Sequence, residues 1–155
     1  ISSSIGWKKE NGNWYYYRDN GNNQEKALAY LYHALTKFYA DNMDETISYV
    51  AQAAVYTELT DNYNTSGQIY HLLCHCYKNQ QDYELGITYC KKAREQYAKA
   101  GTKRNELLAI YEIGFLYYLQ DKYNEAFPYF TEAKELSKQL LQRKQTQATD
   151  KKQSL

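Results

Sequence analysis

Residues 110–133, IYEIGFLYYLQDKYNEAFPYFTEA, decide the fold, because they describe two helices folded back on one another. Ile110, Ile113, Gly114 and Tyr117 recur at steps of three and four residues, or close to it, and so do Tyr123, Ala126, Phe130 and Ala133. Steps of that size mark one face of a helix. Between the two runs stands Leu119-Gln120-Asp121-Lys122, a polar break long enough only for a tight turn.

Working upstream, the same hairpin returns. Tyr117, Tyr123, Tyr129 and Ala133 fall on Tyr77, Tyr83, Tyr89 and Ala93 after a shift of forty residues, and a second shift reaches Met43, Tyr49 and Ala53. The small site at Gly114 becomes Cys74 and then Ala34. Three copies of one unit therefore fill residues 24–141, at about 24–60, 64–100 and 104–140. A period between about 20 and 50 residues belongs to stacked repeats, in which each unit buries its apolar face on its neighbours. Antiparallel helices approach to roughly 8–10 Å only where side chains are short, so Ala34, Cys74, Gly114, Ala53, Ala93 and Ala133 are expected at the close crossings.

The third copy resembles a tetratricopeptide repeat. Ile110, Ile113-Gly114, Tyr117, Tyr123, Ala126, Phe130 and Ala133 occupy that family's signature places in order. The second copy is similar at Tyr70, Leu73, Tyr77, Tyr83 and Ala93, with Cys74, Gly86 and Cys90 as departures. The first departs further, with Lys37 at the tyrosine place and Thr46 at an alanine place. The resemblance implies an all-α fold, a right-handed superhelix of about three helical hairpins. The unit exceeds the family's common 34-residue length by about six residues, which we divide between longer second helices and the turn-rich connections at residues 61–66 and 99–102. Units of this length are similar to those of bacterial peptide-pheromone receptors and of some eukaryotic scaffold proteins.

The first repeat opens with Asn22 or Asn23 as cap, and its helices are expected over residues 25–39 and 44–59. Pro128 removes a hydrogen bond to the Asn124 carbonyl and is expected to bend or loosen its helix. Residues 142–155 have no apolar period and are rich in Gln, Lys and Thr, so a disordered tail is expected there.

Residues 1–23 have another texture. Gly6-Trp7, Asn11-Gly12 and Trp14-Tyr15-Tyr16-Tyr17 describe a two-stranded hairpin around an Asn-Gly turn. This stretch resembles one choline-binding, wall-anchoring repeat of Gram-positive surface proteins. That resemblance implies an aromatic site for a quaternary ammonium at Trp7, Trp14 and Tyr16, completed by a neighbouring repeat. The bland alternative is an aromatic arm that caps the first repeat.

Composition excludes several functions. The chain has 155 residues, with 19 basic and 18 acidic side chains and a net charge of +1, so no global field recruits nucleic acid or an anionic membrane. No apolar run is long enough for a membrane span. Nineteen tyrosines against four phenylalanines suit half-buried faces and contact surfaces. Three cysteines, each inside an expected helix, favour a reducing compartment, and cytoplasm is the expected location, with the cell surface as the alternative. The chain starts at Ile1, which suggests an excised or processed fragment.

In the repeat family the first helix of each unit lines a concave groove. Carried onto this sequence, the resemblance implies Leu28, Leu31, Leu35, Phe38 and Tyr39 from the first unit. The second contributes Gln68, His71, His75, Lys78 and Asn79, and the third Leu108, Tyr111, Phe115, Tyr118 and Leu119. A polar band then lies between two apolar ones, which suits an extended peptide or a helix. The carboxylate clamp of chaperone-binding relatives needs Lys and Asn where Leu31 and Leu35 stand, so that subclass is disfavoured. His71 and His75 share a helix face, but Cys74 and Cys76 point away from them and no carboxylate lies on the same turn, so no metal is expected. No phosphate loop, nucleophile elbow or paired-carboxylate motif occurs, hence no enzyme and no cofactor. The expected partner is a protein or peptide, and a homo-oligomeric assembly is a rival role.

Overall fold

The structure, a computed structural model, describes residues 6–17 and 22–155. Six helices follow a short β-hairpin: α1 (Asn23–Tyr39), α2 (Met43–Thr57), α3 (Tyr63–Asn79), α4 (Tyr83–Ala100), α5 (Lys103–Tyr118) and α6 (Tyr123–Gln153). They pair as α1 with α2, α3 with α4 and α5 with α6, and the pairs stack through α2–α3 and α4–α5 contacts. The expected all-α array of three helical hairpins is the observed one.

A finer period underlies the forty-residue one: each helix begins twenty residues after the last. Asn22, Asn42, Asn62 and Asp82 stand at that spacing as N-caps, and each side chain accepts backbone N–H groups of its first turn. Four helices, α1, α3, α4 and α5, stop in turns with a left-handed residue at Asp41, Gln81, Gly101 and Asp121. There the backbone N–H of the residue after the left-handed one reaches back to the carbonyl of Lys37, Tyr77, Tyr97 or Tyr117, satisfying carbonyls that the helix end leaves open.

The helix bounds revise three expectations. Of residues 61–66 only Asp61 and Asn62 lie in the connection, because Asn62 caps the Thr65 N–H and α3 begins at Tyr63. The second connection shrinks to Gly101 and Thr102, so the extra length of each unit lies mainly in its helices. After Leu141, α6 continues to Gln153 where composition suggested a disordered tail. Gln, Lys, Arg and Ala are good helix formers, and no Gly or Pro interrupts that stretch. The helix is also unbroken at Pro128.

The core is built on the short side chains. Ala34, Ala53, Cys74, Ala93 and Ala133 are buried, as is Gly114. The central helix α3 is buried on two sides. Ile69, Leu72, Leu73 and Cys76 pack with Tyr30, Leu31, Ala34, Val50 and Ala53. Cys74, on the other side, packs with Ile87, Cys90, Ala93, Tyr97, Ala109, Ile113 and Leu116. Cys74 and Cys76 therefore separate into two clusters, as their two-residue spacing requires on a helix. All three thiols are free and buried. Burial pushes Cys76 up to about 11, and Cys90 is raised by its hydrogen bond with the Cys74 side chain and by burial.

Tyrosine is abundant partly because the hairpins use it as paired plates. Tyr77 stacks on Tyr89 at 5.4 Å and Tyr117 on Tyr129 at 5.7 Å, the same pair one unit apart. All four rings are half-buried, and Lys91 donates to the Tyr117 hydroxyl at 3.3 Å.

The N-terminal hairpin joins β1 (Gly6–Glu10) to β2 (Asn13–Tyr17), with Trp7 opposite Tyr16 and Lys9 opposite Trp14. Asn11 and Gly12 both take positive φ, as the Asn-Gly turn requires. The hairpin leans on the first repeat: Tyr30 donates to Glu10 at 3.1 Å, Asn11 to Gln52 at 3.0 Å, and Asn13 to the Tyr49 hydroxyl.

Candidate functional site

The face made by α1, α3 and α5 gathers most of the residues expected in the groove. Between α1 and α3 lies a cleft of about 290 Å³ lined by Leu31, Leu35, Tyr39, Gln68, His71 and His75 among others. Leu31 is buried in the core and closes the floor of this cleft, rather than offering a surface of its own. Leu35 and Phe38 are half-buried against the same core, and Tyr39 stands out, 82% exposed. On α3, Gln68 and Asn79 are exposed, while His71, His75 and Lys78 are half-buried. On α5, Leu108, Tyr111 and Tyr118 are exposed and Phe115 is half-buried. The polar band of α3 thus lies between aromatic and aliphatic flanks.

Helical spacing makes these side chains into stacks. Tyr111, Phe115 and Tyr118 follow one another at centroid distances of 6.3 Å with nearly parallel planes. The His71 and His75 rings lie 4.9 Å apart at 13°, and Phe38 reaches across from α1 to within 6.4 Å of the His75 ring. The two imidazoles face one another, whereas Cys74 and Cys76 lie in the two core clusters. Among the described residues no group of three or more His, Cys, Asp or Glu side chains gathers for a metal.

Two residues of this face are absent from the sequence reading. Glu112 is only 9% exposed, yet its Oε1 accepts from the Lys78 ammonium at 2.6 Å and lies 3.7 Å from His75 Nδ1. Lys78 also sits 5.8 Å from the centre of the Phe115 ring, so its charge is held between a carboxylate and an aromatic face. Tyr97, from α4, lies beneath the groove with its hydroxyl 3.4 Å from His71 Nδ1. Glu112 carries one sequence signal, a charge in the midst of an apolar helix. Tyr97 carries none, since its place depends on how α4 packs under α3.

Burial, reinforced by the neighbouring His75, pushes the His71 imidazole down to about 4, against the pull of Glu112. Burial and Lys78 lower His75 in the same direction, again opposed by Glu112. Both rings are thus neutral at pH 7 and offer hydrogen bonds without charge. A base with a depressed folded-state pKa favours the folded state above its unfolded value near 6.5, and that contribution is lost as pH falls towards 4. Stability should therefore drop by about 2 kcal/mol over this window from His71, a figure reduced from the full shift because the ring is partly solvated. Thermal melts at pH 7 and pH 4.5 of the wild type and of His71→Gln check it: equal losses in both proteins would refute the assignment.

The aromatic site expected in the hairpin has a different status. The side chains of Trp7 and Tyr16 lie outside the described residues. Trp14 is 60% exposed, with the Lys9 ammonium 6.0 Å from its ring.

No described helix is long and apolar enough to cross a membrane. Among curated proteins none matches the chain. Of solved structures, the chain is similar to the crystal structure of aspartyl phosphate phosphatase F from Bacillus subtilis, with a TM-score of 0.71 and 22% identity. The similarity covers 76% of this chain and 31% of that one, so the chain spans about a third of the phosphatase's length. At this identity it is the fold that is shared. Residues 65–140 match the tetratricopeptide repeat family, and the helical hairpins of the array have the fold which that match implies.

Proposed function

We propose that the chain is a non-enzymatic protein- or peptide-binding module whose ligand, an extended peptide or a helix, lies across α1, α3 and α5. The single observation that carries this reading is the composition of that face. Exposed Tyr39, Tyr111 and Tyr118 flank the polar residues Gln68, His71, His75 and Asn79, with a cleft between the first two helices. Aromatic plates give contact area at low entropic cost, and neutral imidazoles and amides pair with a peptide backbone. The activity named for the Bacillus subtilis phosphatase belongs to that longer protein, and at 22% identity the similarity carries the fold and not the activity. The module fits within a larger bacterial regulator or assembly. Three buried free thiols suit a reducing compartment, and we place it in the cytoplasm. The hairpin's hydrogen bonds to Tyr30, Tyr49 and Gln52 favour a cap on the first repeat over a wall-binding role.

The test is a displayed random peptide library selected on the full chain. Recovered peptides should bind the His71→Ala/His75→Ala variant at least tenfold more weakly, while its melting temperature at pH 7 falls by only a few degrees. Unchanged affinity would remove the groove as the binding surface.

A further inference from the structure

We infer that the Lys78–Glu112 pair sets the charge class of the groove's ligand, admitting a segment that is uncharged where it crosses α3 and α5. This rests on the peptide-binding reading above and goes beyond it by naming what the groove refuses.

The pair occupies the middle of the face. Lys78 and Glu112 side chains are 23% and 11% exposed, their charged atoms lie 2.6 Å apart, and they bridge the second unit to the third. The ammonium rests against Phe115, which stands at the centre of the aromatic row from Tyr111 to Tyr118. A ligand that uses this row must therefore lie on the pair. Glu112 has His75 as a further neighbour at 3.7 Å, and that imidazole is neutral at pH 7. The charge of the floor is thus closed: one cation, one anion, both partly out of water. At the start of α5, Lys103 pairs within the helix with Glu106 at 2.7 Å.

A half-dry ion pair is costly to break, because whichever partner is displaced keeps its charge and loses its counter-charge. An aspartate or glutamate laid over Lys78 has to expel Glu112, and a lysine or arginine laid over Glu112 has to expel Lys78. A neutral segment displaces neither. It can take its polar contacts from the exposed amides of Gln68 and Asn79 and place apolar side chains on Tyr111, Phe115 and Tyr118. The pair is thus a specificity device that acts by rejection.

The experiment starts from a library-selected peptide whose binding to the full chain is lost in Phe115→Ser. Each position is then replaced in turn by Asp and by Lys, and affinities are measured at pH 7.5 for wild type, Glu112→Gln and Lys78→Gln, each first shown to be folded by circular dichroism. In the wild type, both charges at the central positions should weaken binding at least tenfold. Glu112→Gln should restore the Asp peptides to within about threefold of the parent and leave the Lys peptides weak. Lys78→Gln should do the reverse, and this arm reads independently if Glu112→Gln does not fold. Scans that are equally tolerant in all three proteins overturn the inference while leaving the groove in place. Failure to recover any peptide sensitive to Phe115→Ser overturns the groove reading and this inference together.

Discussion

Gly114→Leu is expected to lower stability by about 3 kcal/mol and to open the third hairpin. A Cβ built at Gly114 already lies 3.1 Å from Cδ1 and Cε1 of Phe130 and from Cβ of Tyr129. One methyl group can be met by a shift of a few tenths of an ångström, and alanine gains about 1 kcal/mol of helix propensity over glycine, so Gly114→Ala should be close to neutral. Leucine adds three further carbons with no room between α5 and α6. Because a repeat array can open locally, amide hydrogen exchange is the sharper measurement. Protection should fall in α5 and α6 well before α1–α4. A variant that melts within 2 °C of wild type, with α5 and α6 still protected, would show that the crossing at Gly114 is not close.

The second large effect uses the milder substitution at another glycine. Gly67→Ala should cost about 2 kcal/mol, after the roughly 1 kcal/mol gained in helix propensity. A Cβ there would lie 2.5 Å from Cδ1 and Cε1 of Tyr97, closer than real contacts allow. Tyr97 is 3% exposed and cannot swing aside without leaving the core. Its displacement also removes the hydroxyl from His71, so the groove should lose order along with the core. A double-mutant cycle with Tyr97→Leu tests the cause. Gly67→Ala should cost much less once the ring is gone, and an undiminished cost would place the strain elsewhere. Gly67 and Gly114 both sit inside helices, so local propensity favours alanine at each. What separates them is the neighbour across the crossing, one a side-chain edge at the limit of contact and the other a buried ring already in the way.

The sequence showed the helical units well, because an apolar stripe with a short residue at each crossing is a local signal that repeats. Ala34, Cys74 and Gly114, aligned at intervals of forty residues, are all buried where the reading placed them. The hairpin's Asn11-Gly12 turn was equally plain, since a backbone at positive φ restricts the residue types it tolerates. The twenty-residue spacing of Asn22, Asn42, Asn62 and Asp82 is a local signal of the same kind, and it sets the start of α3 at Tyr63. The disorder expected after Leu141 failed for another reason: composition without an apolar stripe does not separate a solvated helix from an unfolded tail.

What the chain determines by itself, then, is the helical hairpin, its repetition and the small residues that let it close, all consequences of backbone geometry within twenty or forty residues. The groove floor was decided by tertiary structure alone. Lys78 and Glu112 are 34 residues apart and Tyr97 is 26 from His71. They meet only because α3 is packed between its neighbours, and no local periodicity records the rotation that brings a lysine of one unit onto a carboxylate of the next.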